Sequence, residues 1–332
     1  KIIKYIGLFL GSMLLISSCV YPFEPEDLDV EATAIVMEGD INIGDFSKFY
    51  SSTSVSISSD DMQVANIPLD EIRVEGKNGA VCDAFTVEIE EDARYAKGEK
   101  RAYVLDTRTL PAEGDYRLVF RVGDKTYSSN WSQCLRTPEI DSITYSVKED
   151  LSSLDILVHA TGEVDSLKYY KWDFREDWEF HARWYASAYY DPVQKIVLKY
   201  PEDGSVIPNY YCWDTALSTD INIYSTEPLT ENVVKNQKLV TIPNISLKIS
   251  YLYSIEVYQK LLSEEGYKYW ETLKKNSDGS SGIFAPQPNE LKGNIICESD
   301  PKELVLGYIS VTTVARKRCY IKDTDVKIYK PS

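Results

Sequence analysis

A run from residue 170 to residue 184 alternates between two kinds of side chain and is the strongest pattern in the sequence. Its even positions are aromatic or small and apolar except for Glu176, and its odd positions are charged or polar. A period of two residues places alternate side chains on opposite faces of a strand, whereas a helix needs a period of 3.6 residues. The run therefore predicts one long β-strand, or two joined by a bulge, with one aromatic face.

The aromatic face of this strand is expected to be buried in a core. An open platform for stacking a ligand is the alternative, and we favour the core because large aromatic side chains are mostly buried. Glu176 interrupts the face, and a carboxylate among aromatic rings needs a hydrogen-bonding partner. We expect Glu176 to be a structural hydrogen-bonding hub rather than an acid catalyst.

Residues 32–137 contain short strand-forming runs separated by turns. Two hairpins are predicted, one at Asn78-Gly79 and one at Gly123-Asp124-Lys125. Before the second hairpin, the turn at 110–115 is followed by Tyr116, which resembles the tyrosine corner of immunoglobulin-like sandwiches. Because no helical period is present, we expect about seven strands in an immunoglobulin-like β-sandwich.

Pro138 marks the start of a second region, because proline favours an extended, unpaired step in the chain. Residues 138–332 are expected to form a larger C-terminal β domain with one helix near 263–275. Ser263 is a good N-cap for that helix, and acidic residues follow it in the first turn, where the helix dipole favours them. The predicted fold class is therefore mainly β.

The beginning of the chain predicts an export signal rather than part of the fold. Two lysines precede an apolar run at 6–16, which is too short for a spanning helix of about 20 residues. The run ends in Leu15-Ile16-Ser17-Ser18-Cys19, which resembles the lipobox of bacterial lipoproteins. We expect residues 1–18 to be removed and Cys19 to be acylated; a plain secretory signal with a chance cysteine is the alternative. Residues 19–31, with prolines and acids, predict an extended tether.

Five cysteines follow Cys19, and export would permit disulfides among them. We predict a bond between Cys212 and Cys297, with Cys82 and Cys134 as a weaker second pair. Buried thiols that pack as small hydrophobic groups are the alternative for each. The wide cysteine spacing fits no zinc site, and neither a metal nor a cofactor is predicted.

Charge and motifs argue against two classes of function. The net charge of −16 disfavours nucleic acid, because an acidic protein would not neutralise phosphates. The sequence has no Gly-x-Ser-x-Gly elbow, no His-Glu-x-x-His and no glycine-rich phosphate loop. We predict that the protein is not an enzyme, although a carboxylate pair for glycoside cleavage remains an alternative among 52 acidic residues.

A tyrosine-rich stretch from 185 to 213 is the predicted ligand-contact surface. Loops carried on a rigid sheet commonly bind ligands, and tyrosine and tryptophan bind with little loss of entropy. The alternative is that these rings cover the edge of a sheet. The predicted contact residues are Tyr189, Tyr190, Tyr210, Tyr211 and Trp213.

Seven segments of the sequence together carry a resemblance to a known family. They are LSEEGYKYW (262–270), GIFAPQP (282–288), KGNI (292–295), ELVLGYI (303–309), RKRCYI (316–321), YYKW (169–172) and YCW (211–213). They resemble the Bacteroidota lipoproteins called domain of unknown function 4249. The resemblance covers nearly the whole chain beyond Cys19, and its specific motifs lie in the C-terminal region. It implies an outer-membrane lipoprotein, often encoded beside transporters driven by the TonB system, and it implies no catalytic residues.

Two binding functions remain open at this stage. One is a non-catalytic accessory of a TonB-linked transporter at the cell surface, which captures a peptide or glycan or docks on the barrel. The other is a structural or adhesive surface protein of the fimbrial kind, although no long donor strand for polymerisation is evident at either end. A surface hydrolase is the less favoured third reading.

Overall fold

The computed structural model describes residues 34–54, 64–92, 95, 98–163, 167–184, 186–200, 210–279, 291 and 293–327. The predicted signal peptide, the tether and Cys19 lie outside these residues.

Strands dominate the described residues, and the prediction of a mainly β fold is confirmed. One α-helix, α1 (Glu264–Gly279), and short 3₁₀ turns at Leu247–Ile249 and Asp323–Asp325 accompany them. The strands are β1 (Ile35–Gly39), β2 (Ile41–Ile43), β3 (Phe46–Thr53), β4 (Glu71–Gly76), β5 (Val81–Glu91), β6 (Glu99–Asp106), β7 (Asp115–Val122), β8 (Lys125–Ser129), β9 (Ser132–Gln133), β10 (Ile140–Val147), β11 (Ser153–Thr161), β12 (Tyr169–His181), β13 (Ala188–Asp191), β14 (Ile196–Lys199), β15 (Tyr211–Leu217), β16 (Asn222–Ser225), β17 (Val233–Pro243), β18 (Leu252–Leu261), β19 (Ile295–Cys297), β20 (Val305–Leu306), β21 (Val311–Thr313) and β22 (Ala315–Lys322).

The first sheet, called here the N-terminal sheet, has the order β19-β8-β7-β4-β5-β6-β3-β1-β20, with β9 beside β7. Side chains from both of its halves meet in one core, among them Ile72 and Leu118 from one half and Phe49 and Leu105 from the other. The sheet therefore closes on itself in a sandwich-like arrangement.

A tyrosine corner stabilises the turn before β7, as the sequence predicts. Tyr116 is fully buried, and its hydroxyl donates a hydrogen bond of 2.7 Å to the backbone oxygen of Pro111. The bond joins residues five positions apart and fixes the path of the chain into the strand.

Strand pairing crosses the domain division predicted at residues 137–138. The C-terminal strands β19 and β20 form the two ends of the N-terminal sheet, where β19 pairs with β8 and β20 pairs with β1. In addition, β21 pairs in parallel with β2. The N-terminal core therefore includes residues that arrive late in the sequence, such as Ile295 and Val311.

The second core lies between the sheet β15-β12-β18-β22, called here the C-terminal sheet, and the sheet β10-β11-β17. The even side chains of β12 point into this core, and the predicted burial of its aromatic face is confirmed by Tyr170, Trp172 and Phe174. Glu176 is buried among them and accepts hydrogen bonds from Lys248 Nζ at 2.5 Å and Tyr253 Oη at 2.8 Å. It is the hydrogen-bonding hub that the sequence predicts.

Two element boundaries differ from prediction. Strand β12 ends at His181 rather than at 184, and α1 ends at Gly279 rather than near 275. The start of the helix is as expected, because the Ser263 hydroxyl accepts a 3.1 Å hydrogen bond from the Gly266 N–H. Helix ends are set by backbone bonds that local sequence specifies only weakly, which explains the late end.

Candidate ligand-binding face

The odd side chains of β12 lie on the side of the C-terminal sheet away from the core. Residues that pair directly across antiparallel strands share a face. Glu179 pairs with Trp213 of β15 and with Leu252 of β18, and Asp177 pairs with Ser254, which in turn pairs with Tyr320 of β22. These residues and their neighbours form the surface that we call the outer face.

A charged network occupies the centre of the outer face. Arg318 reaches across β18 and donates hydrogen bonds to Asp177 at 3.1 Å, Ser254 at 2.8 Å and Glu256 at 3.0 Å. Burial acts to raise the pKa of Asp177, but hydrogen bonds from Thr215, Arg175 and Arg318 outweigh it and lower that pKa. The Asp177 carboxylate and the Arg318 guanidinium therefore stay ionised and fix each other's positions.

Tyr258 lies beside this network and is hydrogen-bonded to it. The Tyr258 hydroxyl donates a 2.7 Å hydrogen bond to Glu256. Burial, together with this bond, raises the pKa of Tyr258 to about 12. Tyr258 is therefore a neutral donor across the physiological pH range.

Exposed aromatic rings stand on either side of the charged network. Trp213 is 67% exposed on β15, and Tyr320 is 63% exposed on β22. A shallow cleft of about 380 Å³ lies between them, floored by Asp177 and Ser254. Because neighbouring strands lie about 4.8 Å apart, the two outer strands are separated by roughly 14 Å, the length of about four residues of extended peptide.

Four rings cluster at the end of the face where β12 stops. His181 stacks on Tyr251 with ring centroids 3.5 Å apart, and it contacts Tyr210 at 4.8 Å and Tyr211 at 4.9 Å. Its Nε2 atom lies 2.8 Å from Glu179 Oε1, which fixes the ring orientation. The cluster extends the aromatic surface beyond Trp213.

The structure separates the five predicted contact residues into two groups. Tyr210, Tyr211 and Trp213 belong to the outer face or its ring cluster. Tyr189 and Tyr190 lie on the hairpin β13–β14, whose strands pair only with each other in the part of the chain that the structure describes. The Tyr189 ring packs 5.0 Å from that of Tyr200. Tyr190 is 60% exposed, so the hairpin presents a second aromatic surface.

Sequence reasoning missed Arg318, Tyr320 and Tyr251 as members of the face. They lie more than 60 positions from β12 in the chain, and only the register of β18 and β22 brings them beside it. The alternating charges at odd positions of β12 were the available signal for the centre of the face.

The predicted disulfide between Cys212 and Cys297 is wrong. Both thiols are free, as are those of Cys82 and Cys134. The reason is that β19 joins the N-terminal sheet, where Cys297 pairs with Tyr127 and is buried, whereas Cys212 pairs with Phe180 in the C-terminal sheet. The alternative reading of packed thiols fits Cys297 and Cys134.

Within the described residues, no group of three or more His, Cys, Asp or Glu side chains is arranged to hold a metal ion. No helix in the same part of the chain has the length and apolar character needed to cross a membrane.

Comparison with known proteins identifies the family. No curated protein sequence matches the chain. A family model described as "Domain of unknown function (DUF4249)" matches residues 20–318, which include the first core, most of the second core and Arg318 of the outer face, and end before Tyr320. The chain therefore belongs to the DUF4249 family.

Proposed function

We propose that the protein is a non-catalytic lipoprotein of the Bacteroidota outer membrane that binds a ligand on the outer face and serves a TonB-linked transporter as an accessory subunit. The observation that carries the binding role is the pair of exposed rings, Trp213 and Tyr320, on either side of a fixed charged network. Large exposed aromatic side chains that cluster on a rigid sheet are typical of recognition surfaces.

The chemistry of the face favours a neutral, polar ligand. Arg175 and Arg318 are matched by Asp177 and Glu256, so the centre of the face carries no large excess of either sign. Its donors and acceptors suit hydroxyl or amide groups, and its rings suit the flat apolar faces of the same molecule. A short peptide or a glycan meets both requirements.

The location rests on the sequence. Cys19 ends a lipobox-like motif, and several acyl chains on one N-terminus hold a protein at a membrane far better than a single chain does. The resemblance described above favours the outer membrane and the cell surface. A tether at 19–31 would let the β body reach a neighbouring transporter barrel.

A direct test compares Trp213→Ala and Tyr320→Ala, separately and combined, with the parent chain. Calorimetric titration against a panel of neutral oligosaccharides and tetrapeptides should identify a ligand whose affinity falls at least tenfold in the double variant, because such anchors usually contribute more than about 1 kcal/mol each. Trp131→Ala, which removes a partly exposed tryptophan on the N-terminal side, is the matched control and should bind normally.

Three results would count against the proposal. A ligand that binds the double variant as tightly as the parent would exclude the outer face, and loss of binding in Tyr190→Ala would move the site to the hairpin β13–β14. Cleavage of a ligand would reveal an enzyme. Co-purification of the native protein tests the partner: a TonB-dependent barrel identified by mass spectrometry is expected, whereas a polymeric ladder would favour the adhesive alternative.

A further inference from the structure

Among the described residues, strand β5 has one edge without a strand partner over most of its length. It pairs with β4 only at Val81–Asp83, and from Ala84 to Glu91 it pairs only with β6. Within the described residues no other strand pairs with the second edge of this stretch. An unpaired edge presents a row of backbone donors and acceptors, which is a template for another chain.

The hydrogen bonds of the neighbouring strand β6 show which backbone N–H and C=O groups of β5 point outward from this open edge. The Arg101 N–H donates to Asn66 and the Glu99 carbonyl accepts from it, so odd residues of β6 direct their backbone groups away from β5. Ala102 therefore bonds to its partner Glu88, and the even residues of β5 face β6. The N–H and C=O groups of Val87, Ile89 and Glu91 point from the open edge.

Apolar side chains accompany these backbone groups. Phe85 is 70% exposed and Ile89 is 56% exposed, with Val87 about half exposed between them. Val87 pairs with Tyr103, which pairs with the core residue Phe49, so Val87 and Ile89 lie on the core side of the sheet where the opposite half does not cover them. The strand carries no proline or lysine, two of the protections that edge strands commonly have.

Charge restricts the kind of partner that fits. Glu88 and Glu90 are matched by Lys48, but Glu91 lies directly opposite Glu99, and both are exposed. Like charges opposite each other destabilise a strand pair, and an incoming cation would relieve the repulsion. A second copy of β5 would bring more carboxylates to the same place, so self-pairing is disfavoured.

We infer that the open edge of β5, from Thr86 to Glu91, accepts an extended, basic segment of a partner protein by strand addition. The partner's backbone bonds to Val87, Ile89 and Glu91, its apolar side chains cover Val87 and Ile89, and a lysine or arginine lies against Glu91 and Glu99. This is an interaction surface on the N-terminal sheet, separate from the outer face and independent of the function proposed for it.

The probe is an eight-residue peptide, acetylated and amidated, in which threonine alternates with lysine, valine, valine and lysine. One face of the extended peptide then carries two valines for Val87 and Ile89 and a lysine at each end for Glu91 and Glu99. The probe should bind the whole chain at least tenfold more tightly than two matched peptides do: one with glutamate for lysine, and one with N-methyl groups on alternate residues that remove the donors of one edge. Hydrogen exchange should show protection of the Val87, Ile89 and Glu91 amides only when the first peptide is present.

Variants separate backbone pairing from general adhesion to an acidic protein. Val87→Pro removes an N–H that faces the open edge and should reduce binding at least tenfold, while Val87→Thr retains the N–H and a similar shape and should bind within threefold of the parent. Equal binding of the N-methylated peptide, no binding of the first peptide, or absence of amide protection at the three positions would each overturn the inference. The exchange measurement uses the parent chain and therefore stands even if the proline variant does not fold.

Discussion

A buried ion pair joins the two regions of the chain and makes the sharpest prediction about stability. Asp40 lies between β1 and β2, and its carboxylate accepts a 2.8 Å hydrogen bond from Lys260 of β18. Only 7% of the Asp40 side chain and 13% of the Lys260 side chain are accessible to solvent. Asp173 lies 3.7 Å from the same ammonium group, and Lys171 binds Asp173 at 3.0 Å.

The size of the effect of Asp40→Asn follows from this arrangement. Removal of one partner of a buried ion pair usually costs about 3–5 kcal/mol, because the other charge is left uncompensated. Here Asp173 remains close to Lys260, and an asparagine oxygen can still accept one hydrogen bond. We therefore expect the lower end, a loss of about 3 kcal/mol in the free energy of unfolding at pH 7.

The pH dependence has a definite sign. Burial acts to raise the pKa of Asp40, but the charges of Lys260 and Lys171 outweigh it and leave that pKa below its usual 3.8. The folded state therefore favours the ionised carboxylate, so its contribution is present above about pH 4 and is lost as the pH falls through the lowered pKa. Burial acts to lower the pKa of Lys260, but the charges of Asp40 and Asp173 outweigh burial and raise that pKa above its usual value. The contribution of the Lys260 charge to stability is therefore lost only in strong alkali.

Urea unfolding of the parent and Asp40→Asn, followed at several pH values, tests this account. The difference between them should be near its full size at pH 7 and should shrink in acid below about pH 4. Glu264→Gln is the control, because Glu264 forms an exposed helical pair with Lys268, and loss of that pair should leave the free energy of unfolding nearly unchanged. A loss below about 1 kcal/mol for Asp40→Asn, or a difference that does not shrink in acid, would refute the reasoning.

Three further predictions concern single side chains. Tyr116→Phe removes the hydrogen bond to Pro111 and should lower the free energy of unfolding by about 1 kcal/mol without a change in the far-UV spectrum; an unchanged midpoint in urea would show that the corner contributes nothing. Cys19→Ala should move the protein from the membrane fraction to the soluble fraction, and mass spectrometry of an unmodified N-terminus in the parent would contradict acylation. Thiol titration of the unfolded protein without reductant should detect all five of Cys82, Cys134, Cys212, Cys297 and Cys319, and a shortfall of two would indicate a disulfide.

The features that sequence predicts correctly in this fold are local ones. The alternation in β12, the Ser263 cap and the Tyr116 corner each depend on residues within a few positions of one another. Such patterns follow from the geometry of one strand, one helix turn or one β-turn, and they need no knowledge of what packs against them.

The pairing of strands that are distant in the chain is the feature of the fold that cannot be predicted from the sequence. Strands β19 and β20 have only three and two residues, and their composition fits either sheet. Their assignment to the C-terminal region followed from chain order alone, and the expected disulfide at Cys297 failed for the same reason. Core packing accompanies the pairing, because Ile295, Cys297 and Val305 lie in the first core while their strands pair with β8 and β1.

The outer face illustrates how a buried pattern determines an exposed one. On β22, Ile321 pairs with Tyr253 and is buried in the second core, and Ala315 is buried at the other end of the strand. A shift of one residue in register would expose both and bury Tyr320, because side chains alternate between faces. Burial of two apolar residues therefore fixes Tyr320 across the cleft from Trp213 and aims Arg318 at Asp177. The face is thus a consequence of core packing, so its composition becomes predictable only once the register of β22 is known.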